Sequence, residues 1–194
     1  QQAVSTLARA LADRINGALV VNPANLLAVA LDSAGGRAID AAALVAQIDL
    51  VREILVGAPA SPLQQITPMG GEAVLGHAAR QGLVRRLPHP LGEIVEIDEH
   101  AWHLLTYFRN NVMHALALPA LLAALVARNE RIEPTRVRAI ALDLWPLLSE
   151  EFYLPADQDA MLARLETLVK LFTDTGLARI HGAFLAAPHP GQPE

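Results

Sequence analysis

The chain has no cysteine, almost no lysine and few aromatic residues; tryptophan, tyrosine and phenylalanine together make 4% of its 194 residues. Without cysteine there is neither a disulfide frame nor a thiolate metal site, which fits a reducing compartment. The 15 basic residues are nearly all arginine and face 20 acids, for a formal net charge of −5. A weakly acidic chain lacks the electrostatic footprint of a nonspecific nucleic-acid binder. Several catalytic and nucleotide-binding signatures are missing as well: no G-x-G-x-x-G, no Walker loop and no G-x-S-x-G occurs. The opening QQAVSTLARALADRING has no basic stretch leading into an apolar run with a small-residue cleavage site, so it does not read as a signal peptide. It lacks an initiator methionine and begins inside a helical pattern, which reads as a piece of a longer polypeptide. The most apolar stretch, residues 112–127, contains His114 and Pro119 and falls short of the roughly 20 residues a spanning helix needs. It reads as a buried or interfacial helix.

What the chain does have is apolar surface. Hydrophobic residues make up 53%, mostly alanine, leucine and valine, a mixture that favours helices packed closely on small side chains. Asn22-Pro23 is a strong helix start, since asparagine caps well and proline at the first helical position forfeits no bond. Asp32-Ser33-Ala34-Gly35-Gly36 ends that helix. Asp40 caps a second, with Ile48, Val51, Ile54 and Leu55 at helical spacing and Gly57 as its stop. Residues 58–71 read as a loop, and a third helix runs from Glu72 to Gln81. LVRRL and EIVEI then flank Pro88-His89-Pro90-Leu91-Gly92, the pattern of a β-hairpin. Three helices followed by a hairpin is the order of a winged helix.

The same ending recurs. LGHAARQGLVRRLPHPLGEIVEI and LVKLFTDTGLARIHGAFLAAP each place an apolar helix before Gly-Leu and a small hairpin. The expected architecture is therefore mainly α, with two winged-helix-like helix-plus-β-hairpin modules joined by a long, Pro-interrupted helical element. Its expected divisions are residues 1–97 and 98–186, with 187–194 a disordered tail. The joining element runs over 98–129 with a bend or break at Pro119, followed by a helix over 134–152, a loop over 154–159 and a helix over 160–173.

Inside the joining element the sequence raises its main puzzle. LLTYFRNNVMHALALPALLAALVA carries Arg109, Asn110, Asn111 and His114 within an apolar run. On one continuous helix His103, Tyr107, Asn110 and His114 fall within about 60° of each other, while Arg109 lies well away. Buried polar groups must be hydrogen-bonded, at a cost of about 1–3 kcal/mol each otherwise. The stripe therefore forms an internal network, a seam toward another domain, or a substrate or cofactor contact. His103, Tyr107, Arg109, Asn110, Asn111 and His114 are the candidate binding or domain-contact residues.

Other clusters point to structure. Asp98, Glu99, His100 and His103 could attract a metal, but they sit at a helix start, where acids are favoured by the dipole, and no H-E-x-x-H is present. No metal or cofactor is expected. A DNA-reading role for EAVLGHAARQ would rest on Arg80, with Arg85 and Arg86 on the hairpin, too few phosphate contacts for a DNA partner. Arg128 and Arg131 read as a solvated helix end, with lipid phosphate or carrier acids as the functional alternative.

YFRNNVMHALALPALLAALVARNERI, residues 107–132, resembles the C-terminal region of bacterial membrane-bound glycerol-3-phosphate acyltransferases. ALVVNPANLLAVAL (18–31), AQIDLVREILVGAP (46–59), HPLGEIVEI (89–97) and LWPLLSEEFYLP (144–155) resemble that family in the same order. The resemblance covers most of the chain to about residue 155 and weakens beyond it; Ala115-Leu116 is a modest departure. It implies a parent enzyme that moves an acyl chain from acyl-CoA or acyl carrier protein to the sn-1 hydroxyl of glycerol 3-phosphate, giving lysophosphatidate. In that family a His-x-x-x-x-Asp motif does the chemistry, the histidine as general base and the aspartate orienting it. Of the seven histidines here, none has an aspartate five residues on. No catalytic residue is carried over, and the chain by itself is expected to be inactive. Its implied partner is the upstream acyltransferase domain of the same polypeptide, and its implied location the cytoplasmic face of the inner membrane, held peripherally. The alternative from another class is a free-standing winged-helix interaction module.

Overall fold

A computed structural model of the chain describes residues 2–35, 38–90 and 92–188. Gly36, Leu91, and residues 189–194 of the expected tail, His189 among them, lie outside the described residues. The elements in chain order are α1 (Gln2–Gly17), β1 (Val20–Val21), α2 (Pro23–Ala34), β2 (Ala38–Asp40), α3 (Ala41–Gly57), β3 (Gln65–Ile66), α4 (Gly71–Arg80), β4 (Arg85–His89) and β5 (Gly92–Glu96). They continue with α5 (Glu99–Asn110), α6 (Met113–Arg128), α7 (Pro134–Phe152), α8 (Gln158–Asp174), β6 (Arg179–His181) and β7 (Phe184–Ala186). The protein is mainly helical, and among the described residues no single helix is long and apolar enough to cross a membrane.

The chain divides into two compact units. One comprises Ala18–Val56 and Ser61–Met113. Its core is built from Leu26, Leu27 and Leu31 of α2, Leu44 and Ile48 of α3, Val74 and Leu75 of α4, Val95 of β5 and Leu105 of α5, all nearly or fully buried. Asn22 starts α2 as expected: its side chain accepts from the Asn25 backbone, and Asn25 answers by accepting from the Asn22 backbone, a reciprocal cap. Gly35, in the left-handed region at φ 65°, closes the helix. The hairpin of β4 and β5 forms as expected. Two features had no sequence signal. β2 adds to the hairpin, giving a three-stranded sheet of order β2-β5-β4, and β1 pairs in parallel with β3 over two residues each.

The second unit comprises Gln1–Gly17, Gly57–Ala60 and His114–Glu194. Leu118 and Leu122 of α6, Val137 and Ala141 of α7, Leu165, Leu168 and Phe172 of α8 and Leu185 of β7 fill its core. Asp157 caps α8 by accepting from the Ala160 N–H at 3.0 Å. Ile132, between α6 and α7, exchanges both backbone hydrogen bonds with Leu185 of the terminal hairpin, at 2.9 and 2.8 Å. Within each unit one stretch runs helix, short extended segment, helix, helix, hairpin: α2 to β5 in the first, with the short β3 before its last helix, and α6 to β7 in the second. In each, the extended segment pairs with the second strand of the hairpin.

The joining element departs from expectation. Residues 98–129 are not one long helix broken at Pro119. They are α5 and α6, interrupted at Asn111–Val112, and α6 belongs to the second unit. Pro119 lies buried within α6, and the helix continues through it. The reason is tertiary. Proline has no N–H for the carbonyl four residues back, Ala115, and Arg164 of α8 donates to that oxygen at 2.8 Å.

Candidate functional site

The interruption at Asn111–Val112 ends the continuous helical phase on which the polar stripe was drawn. His103, Tyr107 and Asn110 lie on α5 and are exposed, Tyr107 at 63%. The Tyr107 ring meets Phe108 edge-on, with centroids 5.9 Å apart. Asn111 is the exposed C-cap of α5. Arg109 turns toward α2, where it pairs with Asp32 at 2.5 Å and also donates to the Asn110 side-chain oxygen at 2.9 and 3.2 Å. His114 is on α6, buried, and belongs to the other unit.

The α2–α5 contact of the first unit is held by polar groups. Asn25, 2% exposed, already holds the start of α2, and its side-chain amide reaches across to donate to the Phe108 carbonyl at 2.8 Å. That carbonyl lies in the last turn of α5, among the groups left without helical donors. Asn25 and the Arg109–Asp32 pair therefore fix α5 on α2 at two points. The space enclosed by Ala28, Leu31, Trp102, Leu105 and Thr106 is about 10 Å³, room for one water at most. This is a packing contact with no room for a substrate.

A second polar cluster lies in the other unit. Arg164 donates to the carbonyl of Ala58 at 3.0 Å, just beyond the end of α3, and to that of Ala115 at 2.8 Å. Both alanines are fully or almost fully buried. The guanidinium thus serves the Ala58 carbonyl and the carbonyl orphaned by Pro119. Burial pushes Arg164 down to about 10, so it still carries its proton at neutral pH. His114 approaches the Asn16 carbonyl at 3.3 Å through Nε2. Because a carbonyl only accepts, Nε2 is the protonated nitrogen in this contact. Burial lowers the His114 pKa most; the Asn16 bond opposes that, and the charge of Arg164 adds to the lowering. A neutral imidazole and a guanidinium with two arms committed to carbonyls hold backbone in place.

The remaining candidates resolve similarly. Asp98 is the N-cap of α5, accepting from the Ala101 N–H at 2.8 Å, with Glu99 in the first turn. Among the described residues no three metal-ligating side chains converge. On the hairpin, Arg85 pairs with Glu96 at 3.2 Å. Arg86 pairs with Glu93 and with Glu72, the latter at 2.6 Å. Both carboxylates hold its pKa above the usual arginine value, Glu93 most strongly. These arginines are tied into their own unit. An apolar groove of about 280 Å³ between α7 and α8 is lined by Val137, Leu162, Leu165 and Val169, with Arg138 and Glu166 at its rim.

Sequence reasoning missed Asn25, Asn16 and Arg164. Asn25 had a local signal, since Asn22-x-x-Asn25 has the spacing of a capping box. Asn16 and Arg164 had none, because their partners are distant in sequence.

The family model of the glycerol-3-phosphate acyltransferase C-terminal region matches residues 1–193, so the similarity extends well past residue 155. A glycerol-3-phosphate acyltransferase of Xylella fastidiosa is 37% identical over 174 residues, covering 90% of this chain and 20% of the relative. The Xanthomonas campestris protein of that name is 35% identical over 175 residues, with the same coverage. The one from Pseudomonas paraeruginosa is 32% identical over 189 residues, 97% of this chain and 23% of the relative. The chain spans about a fifth of the length of these relatives.

Proposed function

This chain belongs to the family of glycerol-3-phosphate acyltransferase C-terminal regions, and from that premise we propose that it is the non-catalytic part of such an enzyme, bracing the acyltransferase domain upstream. The parent would transfer an acyl chain from acyl-CoA or acyl carrier protein to the sn-1 hydroxyl of glycerol 3-phosphate, the opening acylation of phospholipid biosynthesis. It would work peripherally at the cytoplasmic face of the inner membrane and without a cofactor. The observation that carries this reading is the match over residues 1–193 to a C-terminal region, set against relatives about five times as long. Supporting it, no histidine in the chain has an aspartate five residues on, and the buried polar groups around Arg164 and Asn25 are spent on backbone carbonyls.

Each unit is read as a winged-helix module used for packing and protein contact. The repeated order of elements supports this, as does the pairing of the segment after the first helix with the second hairpin strand. The test is activity by parts. The purified chain, given acyl-CoA and glycerol 3-phosphate, should form no lysophosphatidate, and the parent enzyme should lose activity or thermal stability when this region is removed. Acyl transfer by the chain alone, or a parent indifferent to its removal, would overturn the reading.

A further inference from the structure

Helix α1 is mounted with its polar edge inward. Arg9 pairs with Glu150 of α7 and donates to the Ser149 carbonyl at 3.3 Å. Asn16 donates to the carbonyls of Phe152 at 2.8 Å and Tyr153 at 3.3 Å, while its own carbonyl meets His114. The opposite face carries Val4, Leu7, Leu11 and Ile15, exposed at 72, 62, 52 and 72%. Spaced by three, four and four residues, they form one stripe about 80° wide over three turns. A single exposed leucine is ordinary, but an aligned apolar row marks a contact surface. An amphipathic helix normally buries its apolar face in its own domain; here the polar contacts to α7 hold that face outward.

We propose that the Val4–Leu7–Leu11–Ile15 stripe is the seat against which the upstream acyltransferase domain of the same polypeptide docks. This rests on the bracing role given above and names its surface. About four-fifths of each relative lies outside the stretch matched here, so a large intrachain partner is at hand. A stable dimer needs roughly 20–30 residues from each side, far more than one helical stripe supplies. A covalently tethered neighbour is held at high effective concentration and needs a much smaller contact. A lipid surface fits less well. Helices that lie in the membrane interface are rich in basic and aromatic residues; α1 has no aromatic, and of its two arginines Arg9 is taken by Glu150.

The chain has no cysteine, so Leu7→Cys or Leu11→Cys installs a single thiol on the stripe. Maleimide labelling of the α1 peptide, read by mass spectrometry and normalised to the urea-unfolded rate, is compared in the 194-residue chain and in the full-length parent. We expect labelling at least tenfold slower in the parent, and fast labelling at Leu7→Cys restored when Leu11→Asp is added there. Equal rates, in a parent that still loses activity when the region is removed, would overturn the surface and leave the bracing role standing. Equal rates in a parent indifferent to that removal would overturn both. Protection of the isolated chain that grows with its own concentration, or that appears on adding phosphatidylethanolamine–phosphatidylglycerol vesicles, would assign the stripe to a second copy or to lipid and overturn the inference.

Discussion

Arg164 donates to the carbonyl of Ala115 at 2.8 Å, the one oxygen in α6 that Pro119 deprives of its helical donor. The arginine and the proline compensate each other across two helices. Arg164→Met should destabilise the protein, because the buried Ala58 and Ala115 carbonyls lose their donor, at about 1–3 kcal/mol after partial offset by no longer burying a charge. With Pro119→Ala, residue 119 regains an N–H that can reach Ala115, and the cost of Arg164→Met should shrink by about 1 kcal/mol. A double-mutant cycle by urea denaturation reads this coupling; strict additivity would refute it.

His114 predicts a pH dependence with a definite sign. Its folded pKa lies below the ordinary 6.5, chiefly through burial. Above 6.5 it is neutral in both the folded and unfolded states and contributes no slope. As pH falls below 6.5, the unfolded chain takes up the proton first, and stability is lost until the folded pKa is passed. The difference in stability between wild type and His114→Gln should therefore move against wild type on acidification from pH 7 to 5. In Arg164→Met, removal of the positive charge should raise the His114 pKa, visible as an imidazole NMR titration midpoint shifted upward.

Much of this was legible in the sequence and some was not, for physical reasons. Asn22-Pro23, Gly57 and the Gly-Leu pairs at 82–83 and 176–177 place helix ends by local backbone rules, and those ends are where the structure has them. The strands Ala38–Asp40 and Gln65–Ile66 are too short to show any alternation, so the third strand of the sheet had no signal. At Pro119 a local rule predicts a bend or break, but Arg164, 49 residues beyond the Ala115 carbonyl it serves, overrides it. The helix that would carry the polar stripe stops at Asn110, so His103, Tyr107 and Asn110 share an exposed face of α5, while His114 falls on the separate helix α6 and is buried.

Asn25 ties the start of α2 to the end of α5. Asn25→Ala should cost about 1–3 kcal/mol, since the Phe108 carbonyl loses a buried donor and the Asn22 N–H loses its acceptor. Asn25→Asp separates the two roles. The carboxylate can still accept from Asn22 but presents lone pairs to the Phe108 carbonyl, so it should be no better than alanine. Recovery of wild-type stability by aspartate would show that the capping bond alone matters.

Two glycines of α4 should respond oppositely to the same substitution. In a helix, glycine to alanine ordinarily gains about 0.5–1 kcal/mol by restricting the unfolded chain. At Gly76 the nearest atom to an added Cβ is the mobile guanidinium end of Arg80, 3.5 Å away, so Gly76→Ala should show that gain. At Gly71 the added Cβ would stand 2.5 Å from the Val45 carbonyl oxygen and 2.9 Å from an Asp49 carboxylate oxygen. Asp49 also accepts from the Gly71 N–H at 2.6 Å, so the two helices are drawn together at this point and have little room to part. Gly71→Ala should therefore destabilise by about 1–3 kcal/mol, as overpacking does. Thermal melts of the two variants should move in opposite directions from wild type; a stabilised Gly71→Ala would mean that α3 and α4 are not packed this closely.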